Sequence, residues 1–110
     1  MERFVEGEIV VVQFPYTNFS SSRKRPALVL ADLGGEDIIL CEITSRLKRD
    51  NYTIDLQNED LTSGKLRVRS LIKPNRILTI YKTKINYKFG KLKDYKLKEV
   101  KEKLSAIFNI

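Results

Sequence analysis

The chain has 110 residues, 42% of them hydrophobic, and its 21 Lys and Arg against 14 Asp and Glu give a formal net charge of +7. This length predicts one domain spanning residues 1–110, and the ordinary apolar fraction excludes a disordered chain. No apolar run approaches the roughly 18 residues of a membrane span and no signal pattern is present, which predicts a cytoplasmic protein. The charge indicates a polyanionic partner, with a basic but inert surface as the alternative.

The first half of the chain is patterned as strands. Residues 8–14, "EIVVVQF", form an apolar run too continuous for a half-exposed strand. A loop rich in serines and cations precedes "PALVLAD", residues 26–32, where Pro26 stands at the tolerated first position of a strand. The Gly34-Gly35 pair then predicts a hairpin turn into "DIILCEIT", residues 37–44.

The second half continues with strands and ends in a helix. Three further strands are predicted at residues 52–56, 66–74 and 76–81, the last two separated by Pro74 and Asn75. The apolar residues of the tail recur at helical spacing, Asp94 is placed to cap this helix, and the lysines among them form its wet face. This order, without βαβ alternation, predicts a mainly β fold: a short β-barrel or strongly bent sheet closed by one C-terminal helix.

The composition excludes several kinds of active site. There is no histidine, so a His-based acid/base pair, a Ser-His-Asp triad and a Cys-His pair are impossible. The single cysteine, Cys41, lies in an apolar run and is expected to be a buried, inert thiol. "TSGKL" fails as a P-loop because Glu59 replaces its first glycine and Leu66 its Ser/Thr. No metal and no nucleotide cofactor is therefore indicated.

Catalysis by such a chain is restricted to Arg, Lys, hydroxyls, carboxylates and backbone amides. Arg presents a planar fork suited to phosphate oxygens, and with a hydroxyl it can stabilise charge that develops on a phosphate. RNA carries its own nucleophile, the 2′-OH beside each phosphodiester, so an enzyme need only align and stabilise the reacting groups. RNA cleavage is thus a reaction open to a site without histidine or metal.

Four blocks of the sequence resemble the MazF/PemK family of toxin endoribonucleases. Residues 7–31, "GEIVVVQFPYTNFSSSRKRPALVLA", are similar to the family's N-terminal signature. "EITS", residues 42–45, resembles its third-strand motif, and "RSLIKPNRILTI", residues 69–80, its Ser-led strand. The Lys-rich tail resembles its final helix. The resemblance implies an SH3-like barrel of the type that MazF shares with CcdB, working as a homodimer with RNA across the interface.

The resemblance also implies where the site lies. The Arg before the Pro and the Thr of "ITS" are the family's catalytic pair, which by motif are Arg25 and Thr44. Arg25 would stabilise the pentacoordinate phosphorane, and Thr44 would position the phosphate or the 2′-OH. The loop "NFSSSRK" departs from the family's "GSEQ"-like loop, so base preference does not transfer. The side chains predicted to bind RNA are Ser20, Ser21, Ser22, Lys24, Arg46 and Arg76.

Most of these residues also have a plain structural interpretation, and Arg46 could belong to a charged turn. Arg25 could be a solvated charge beside a strand, and Thr44 a β-former at a strand end. The three serines could belong to a flexible loop. Arg76 follows a turn, where a surface salt bridge is the simple alternative.

The leading hypothesis is the toxin of a type II toxin–antitoxin pair. It would be a sequence-selective, metal-independent endoribonuclease acting on single-stranded RNA, with an antitoxin whose acidic C-terminal tail covers the RNA site. One alternative is a CcdB-like gyrase inhibitor. Such inhibitors depend on a C-terminal Trp-Gly-Ile, whereas this chain has no Trp and ends "FNI". The other alternative is a non-catalytic RNA-binding barrel.

Overall fold

The computed structural model describes residues 2–14 and 23–110. These residues form a seven-stranded, curled antiparallel sheet with one helix at the C-terminal end, which confirms the predicted mainly β fold. In sheet order the strands are β4, β6, β3, β2, β1, β7 and β5. Their bounds are β1 Glu8–Phe14, β2 Arg23–Asp32, β3 Asp37–Thr44, β4 Ile54–Leu56, β5 Leu61–Ser63, β6 Ser70–Tyr81 and β7 Ile85–Leu92, and the helix α1 is Asp94–Phe108.

The central strands are buried on both faces, which explains their continuous apolar runs. Alternate residues of β1 belong to two different cores. Ile9 packs in a helix-side core that includes Val100 of α1. Val10 and Val12 pack in a second core that includes Phe4 from the N-terminal segment. Each face of the curled sheet therefore has its own hydrophobic core, and the helix covers one of the two faces.

Cys41 lies in the helix-side core and is fully buried. Burial disfavours the thiolate and raises the pKa of Cys41 to about 12. The expected buried thiol is confirmed, and at neutral pH it is fully protonated.

The prediction of two strands around Pro74 was wrong. Ser70–Tyr81 is one strand, and residues 66–69 lie outside it. The ladder with β3 shifts register between Cys41, which pairs with Ile77, and Glu42, which pairs with Lys73. Pro74 lies within this bulge, where its missing N–H costs no regular ladder bond.

Strand β2 begins three residues earlier than predicted. Pro26 pairs with Val11 of β1, whereas the ladder between β2 and β3 begins only at Ala27. Pro26 therefore lies in a part of β2 that pairs on one side, which is where a strand tolerates proline.

Two strands of the sheet were not predicted at all. β7 pairs with β1 and with the short strand β5. Most side chains of β7 are exposed or half-buried, so its sequence "INYKFGKL" lacks a strong apolar pattern. Pairing with neighbours, rather than local propensity, makes these residues a strand.

The predicted helix is confirmed, but its expected cap is not. Lys93 is the N-cap and makes no side-chain capping bond. Asp94 is the first helical residue, where its negative charge interacts favourably with the helix dipole. Lys96 also departs from the expected wet lysine face, since it is buried and pairs with Glu99 at 3.0 Å. Among the residues described, no helix is long and apolar enough to cross a membrane.

Candidate functional site

Arg25 and Thr44 line the same cleft, beyond the end of the β2–β3 ladder. The last pair at this end of the ladder is Ala27 opposite Glu42. Continuing that register by two residues places Arg25 opposite Thr44. Both residues line one open cleft of about 570 Å³. The cleft thus brings together two residues that are 19 positions apart in the chain.

The cleft has a buried interior and an exposed, basic rim. Ile43 and Leu66 belong to the helix-side core, so the inner surface of the cleft is continuous with the hydrophobic interior. Phe89 packs against the same core. The other described residues that line the cleft are Val11, Lys24, Arg25, Pro26, Thr44, Ser45, Arg46, Arg67, Val68, Ser70 and Tyr87.

The electrostatics of the cleft favour an anion. Lys24, Arg25, Arg46 and Arg67 all line it, and the described lining includes no carboxylate. Like charges gathered around a partly apolar cleft repel one another, and an anionic ligand relieves that repulsion. A phosphodiester backbone supplies such charges at regular intervals.

Thr44 is held in a defined orientation. Its side chain is only 9% exposed. Its Oγ1 accepts a hydrogen bond from the backbone N–H of Arg46 at 3.1 Å. This bond uses a lone pair of the hydroxyl oxygen and leaves its proton to be donated. Thr44 can therefore present an O–H donor to a phosphate oxygen in the cleft.

The structure gathers four of the predicted site residues, namely Arg25, Thr44, Lys24 and Arg46, in the cleft. Arg76 is placed elsewhere: its Nε donates to Glu42 Oε2 at 3.1 Å, and it is not among the lining residues. Ser20, Ser21 and Ser22 lie outside the described residues. The cleft thus contains residues of the two motifs around Arg25 and Thr44, whereas Arg76 does not line it.

Four polar lining residues were missed by the sequence analysis, and one of them, Ser45, directly follows Thr44 in the "EITS" motif. Arg67 falls in a segment that was predicted as a strand, and Tyr87 falls in β7, which was not predicted. Tyr87 pairs with Val11, so the β1–β7 ladder places it beside the cleft. Ser70 is buried, and its Oγ donates to the Val68 carbonyl at 3.2 Å. The Ser-led motif could have indicated Ser70, whereas no local signal marks Arg67 or Tyr87.

The arrangement suits phosphate chemistry carried by cations and hydroxyls. Guanidinium groups offer paired N–H donors to phosphate oxygens, and Thr44 adds a neutral donor. Across residues 2–14 and 23–110, no group of three or more His, Cys, Asp or Glu side chains could hold a metal ion. The described cleft can bind a phosphodiester and stabilise negative charge that develops on it.

Comparison with known proteins gives a family and a fold. Residues 6–108 match the family model described as PemK-like, MazF-like toxin of type II toxin-antitoxin system. No curated protein sequence matches the chain significantly.

Solved structures share the fold at low sequence identity. The Mycobacterium tuberculosis toxin MazF-mt6 superposes with a TM-score of 0.75 at 15% identity, over 94% of this chain and 97% of that one. MazF from Deinococcus radiodurans gives 0.70 at 20% identity, over 96% of each chain. An endoribonuclease in complex with its cognate antitoxin, from Mycobacterial species, gives 0.78 at 11% identity, over 98% and 97%.

Proposed function

Because the chain belongs to the PemK-like, MazF-like family of toxins of type II toxin–antitoxin systems, we propose that it is a metal-independent endoribonuclease that cleaves single-stranded RNA. The observation that carries this proposal is the cleft itself. Arg25 and Thr44 line it together with Lys24, Arg46 and Arg67, and no carboxylate is among its described lining residues. Cations and a fixed hydroxyl are what a phosphodiester needs to be bound and activated.

The proposed reaction is an internal transesterification. The 2′-oxygen of the ribose attacks the adjacent phosphorus, the P–O5′ bond breaks, and the proton lost from the 2′-OH is balanced by one gained at the 5′-oxygen. Arg25 stabilises the added negative charge of the phosphorane, and Thr44 donates to a phosphate oxygen or orients the 2′-OH. A guanidinium with a pKa above ~12 is a poor base at neutral pH, so the role of Arg25 is electrostatic.

The biological setting follows from the same proposal. Residues 1–110 act as a single toxin domain in the cytoplasm, where single-stranded mRNA is the substrate. A homodimer presents two copies of the cleft. A cognate antitoxin with an acidic C-terminal tail covers the basic cleft until it is removed. The fold neighbour described as an endoribonuclease in complex with its cognate antitoxin supports this kind of partner.

The test is incubation of the purified protein with a long RNA in EDTA. We expect cleavage that leaves a 2′,3′-cyclic phosphate or 3′-phosphate and a 5′-OH. Replacing the ribose at the scissile position with 2′-deoxyribose should abolish cutting, because the nucleophile is gone. A reaction that EDTA stops and magnesium restores would contradict the metal-free mechanism.

The same assay separates the two alternatives. Binding of RNA without cleavage would identify a non-catalytic RNA-binding barrel. Neither binding nor cleavage, with inhibition of gyrase supercoiling, would identify a gyrase inhibitor instead.

A further inference from the structure

A short segment, Leu66–Val68, separates the cleft from a second, smaller pocket. The second pocket has a volume of about 160 Å³, against about 570 Å³ for the cleft. All three residues of the segment line both cavities, so we call the segment the dividing wall. Arg67 is its only charged member. The remaining residues of the second pocket are Gln57, Asn58, Glu59 and Arg69.

One side chain pins the dividing wall. The backbone N–H of Leu66 donates to Asn58 Oδ1 at 2.7 Å, and Asn58 Nδ2 donates to the Leu66 carbonyl at 3.2 Å. A single amide thus binds both backbone groups of one residue in a segment that belongs to no strand. The Leu66 side chain is 6% exposed and anchored in the helix-side core. Arg67 therefore directly follows a residue whose backbone and side chain are both held in place.

Asn58 is itself held by the body of the protein. It begins a 3-10 turn, Asn58–Asp60, whose Asp60 carboxylate accepts the backbone N–H of Gln57 at 2.8 Å. The same carboxylate accepts a hydrogen bond from the Tyr95 hydroxyl of α1 at 2.6 Å, and this bond is the largest of the causes that raise the pKa of Tyr95 to about 12. These hydrogen bonds connect the dividing wall, through Asn58 and its turn, to α1.

Arg67 differs from its neighbours in how its charge is compensated. Arg69 and Arg49 both pair with Asp55. Within the described residues, Arg67 forms no ion pair with any carboxylate. An arginine held between two cavities without a counter-ion is placed to take a phosphate.

We propose that the second pocket receives the nucleotide next to the cleaved bond, and that Arg67 binds the phosphate which joins this nucleotide to the one in the cleft. The ligand class is a single-stranded RNA, which crosses the dividing wall at Arg67. Asn58 is the positioning residue that holds the wall. The inference rests on the proposed function and deepens it, since it extends the RNA beyond the Arg25–Thr44 site.

The first test measures binding to an RNA with 2′-deoxyribose at its scissile position, which the enzyme cannot cut. Arg67→Ala should raise the Kd roughly tenfold or more, the scale of losing a charged hydrogen bond. Binding should also become less sensitive to salt. The negative slope of log K against log salt should become shallower by about 0.7, the change that one lost phosphate contact predicts for a single strand. The matched control is Arg49→Ala, which removes the same charge from outside both cavities. Its Kd should stay within about twofold of wild type, as expected for a surface ion pair.

The second test locates the nucleotide by a thermodynamic cycle. Abasic substitutions are placed one at a time on each side of the scissile position, and each RNA is measured with wild type and with Arg67→Ala. At one adjacent position the two losses should be clearly less than additive, because the nucleotide and Arg67 act together. Additive losses at every position, or a Kd for Arg67→Ala equal to that of Arg49→Ala, would overturn the inference.

The positioning role of Asn58 has its own readout. Asn58→Ala and the near-isosteric, uncharged Asn58→Leu both remove the two hydrogen bonds to Leu66, so each should raise the Kd above that of wild type. Either change should have little further effect in an Arg67→Ala background. The control is Asn86→Ala on the exposed side of β7. Equal additional losses in both backgrounds would contradict positioning through Arg67.

The outcomes also separate this inference from the proposed function. If wild type cuts RNA but Arg67→Ala behaves like its control, only the second-nucleotide site fails. If wild type neither binds nor cuts any RNA, the proposed function itself fails. Should Asn58→Ala not fold, the Arg67 cycle still decides the question, since Arg67 is exposed and its removal leaves the core intact.

Discussion

At the residue scale, the cations of this protein fall into two groups. Arg49, Arg69 and Arg76 each form an ion pair with a carboxylate of the same chain. Lys24 and Arg46 line the cleft and have no ion pair within the described residues. Paired surface charges contribute little to binding, whereas a cluster of uncompensated cations attracts an anion over the Debye length. Lys24 and Arg46 therefore contribute to a positive potential at the cleft.

The roles proposed for Arg25 and Thr44 predict a loss of cleavage rate without a loss of fold. Arg25→Ala should lower the cleavage rate by ~10² or more, the scale of removing an oxyanion-type stabiliser. Thr44→Val should also be slow, while Thr44→Ser, which keeps the hydroxyl, should retain most activity. Initial rates on one RNA give the measurement, and melting temperatures near that of wild type show intact folding. A folded Arg25→Ala protein that cuts at the full rate would remove Arg25 from the mechanism.

Asp32 does not line the cleft, and its contacts predict that the free energy of unfolding depends on pH. Its carboxylate accepts hydrogen bonds from Lys82 Nζ at 2.7 Å and from the backbone N–H groups of Phe4 and Gly34, each at 2.8 Å. The bond from Lys82 is the largest cause that holds the pKa of Asp32 well below its usual value near 3.8. A carboxyl whose pKa is lowered on folding stabilises the native state above the unfolded pKa, and this contribution is lost as pH falls below it.

The check is urea unfolding of wild type and Asp32→Asn between about pH 2 and pH 6, a range that spans the ordinary Asp pKa of about 3.9. Wild type should be the more stable protein at pH 6, and the difference should narrow as pH falls below about 4. Asp55, whose pKa is also lowered by Arg49, is present in both proteins and cancels in the comparison. A difference that stays constant with pH would show that the charge of Asp32 is not responsible.

At the scale of elements, the backbone just after β5 approaches the backbone of β7 closely. Gly64 follows β5 and has a φ of +88°, and a Cβ there would collide with the Phe89 carbonyl and lie 2.8 Å from Gly90 Cα on β7. Phe89 lines the cleft, and the dividing wall begins two residues after Gly64. The packing of β5 on β7 thus sets one side of the site.

Two glycines allow this approach to be tested against a matched control. Gly34 has nearly the same backbone conformation, with a φ of +85°, but no atom lies within 4 Å of a Cβ built there. Gly34→Ala should cost only the left-handed penalty of about 1–2 kcal/mol. Gly64→Ala should cost roughly 1–3 kcal/mol more, because the strands must also separate. Chemical denaturation of both variants gives the comparison, and equal losses would mean that the approach is easily relieved.

At the scale of the whole molecule, the net charge of +7 and the basic cleft act on any acidic partner. Carboxylates on an antitoxin tail would speed and orient docking, and apolar anchors would supply most of the affinity. The cleft offers both kinds of surface, since Ile43 and Leu66 lie inside its basic rim. An antitoxin tail and RNA would therefore compete for the same surface.

The prediction is competition that depends on salt. The gene beside this one should encode a small protein with an acidic C-terminal region, and an excess of it should displace RNA from the toxin. Added salt should slow association more than it speeds dissociation. Arg25→Ala should lose activity yet still bind the antitoxin, because one rim charge is a small part of such an interface. A pull-down measures antitoxin binding by the variant, and a competition assay measures displacement of RNA. Simultaneous binding of RNA and antitoxin in the cleft would show another mode of inhibition.

The sequence by itself determined the parts of this protein that depend on local pattern. The runs that became β1 and β3 are apolar enough to be buried on both faces, and the tail has the period of a helix. The motifs around Arg25 and Thr44 also led to the prediction that these two residues share a site, and both line the same cleft. Each signal lies within a few residues of the element or position that it predicts.

Only the tertiary structure decided what depends on pairing between distant residues. β7 has little apolar pattern and exists because β1 lies beside it, and β6 runs through Pro74 because a bulge opposite Cys41 and Glu42 accommodates it. Arg67 entered the cleft, while Arg76 paired with Glu42. A sequence shows which residues carry charge, but the register of the strands, set by burial on both faces of the sheet, decides which charges meet.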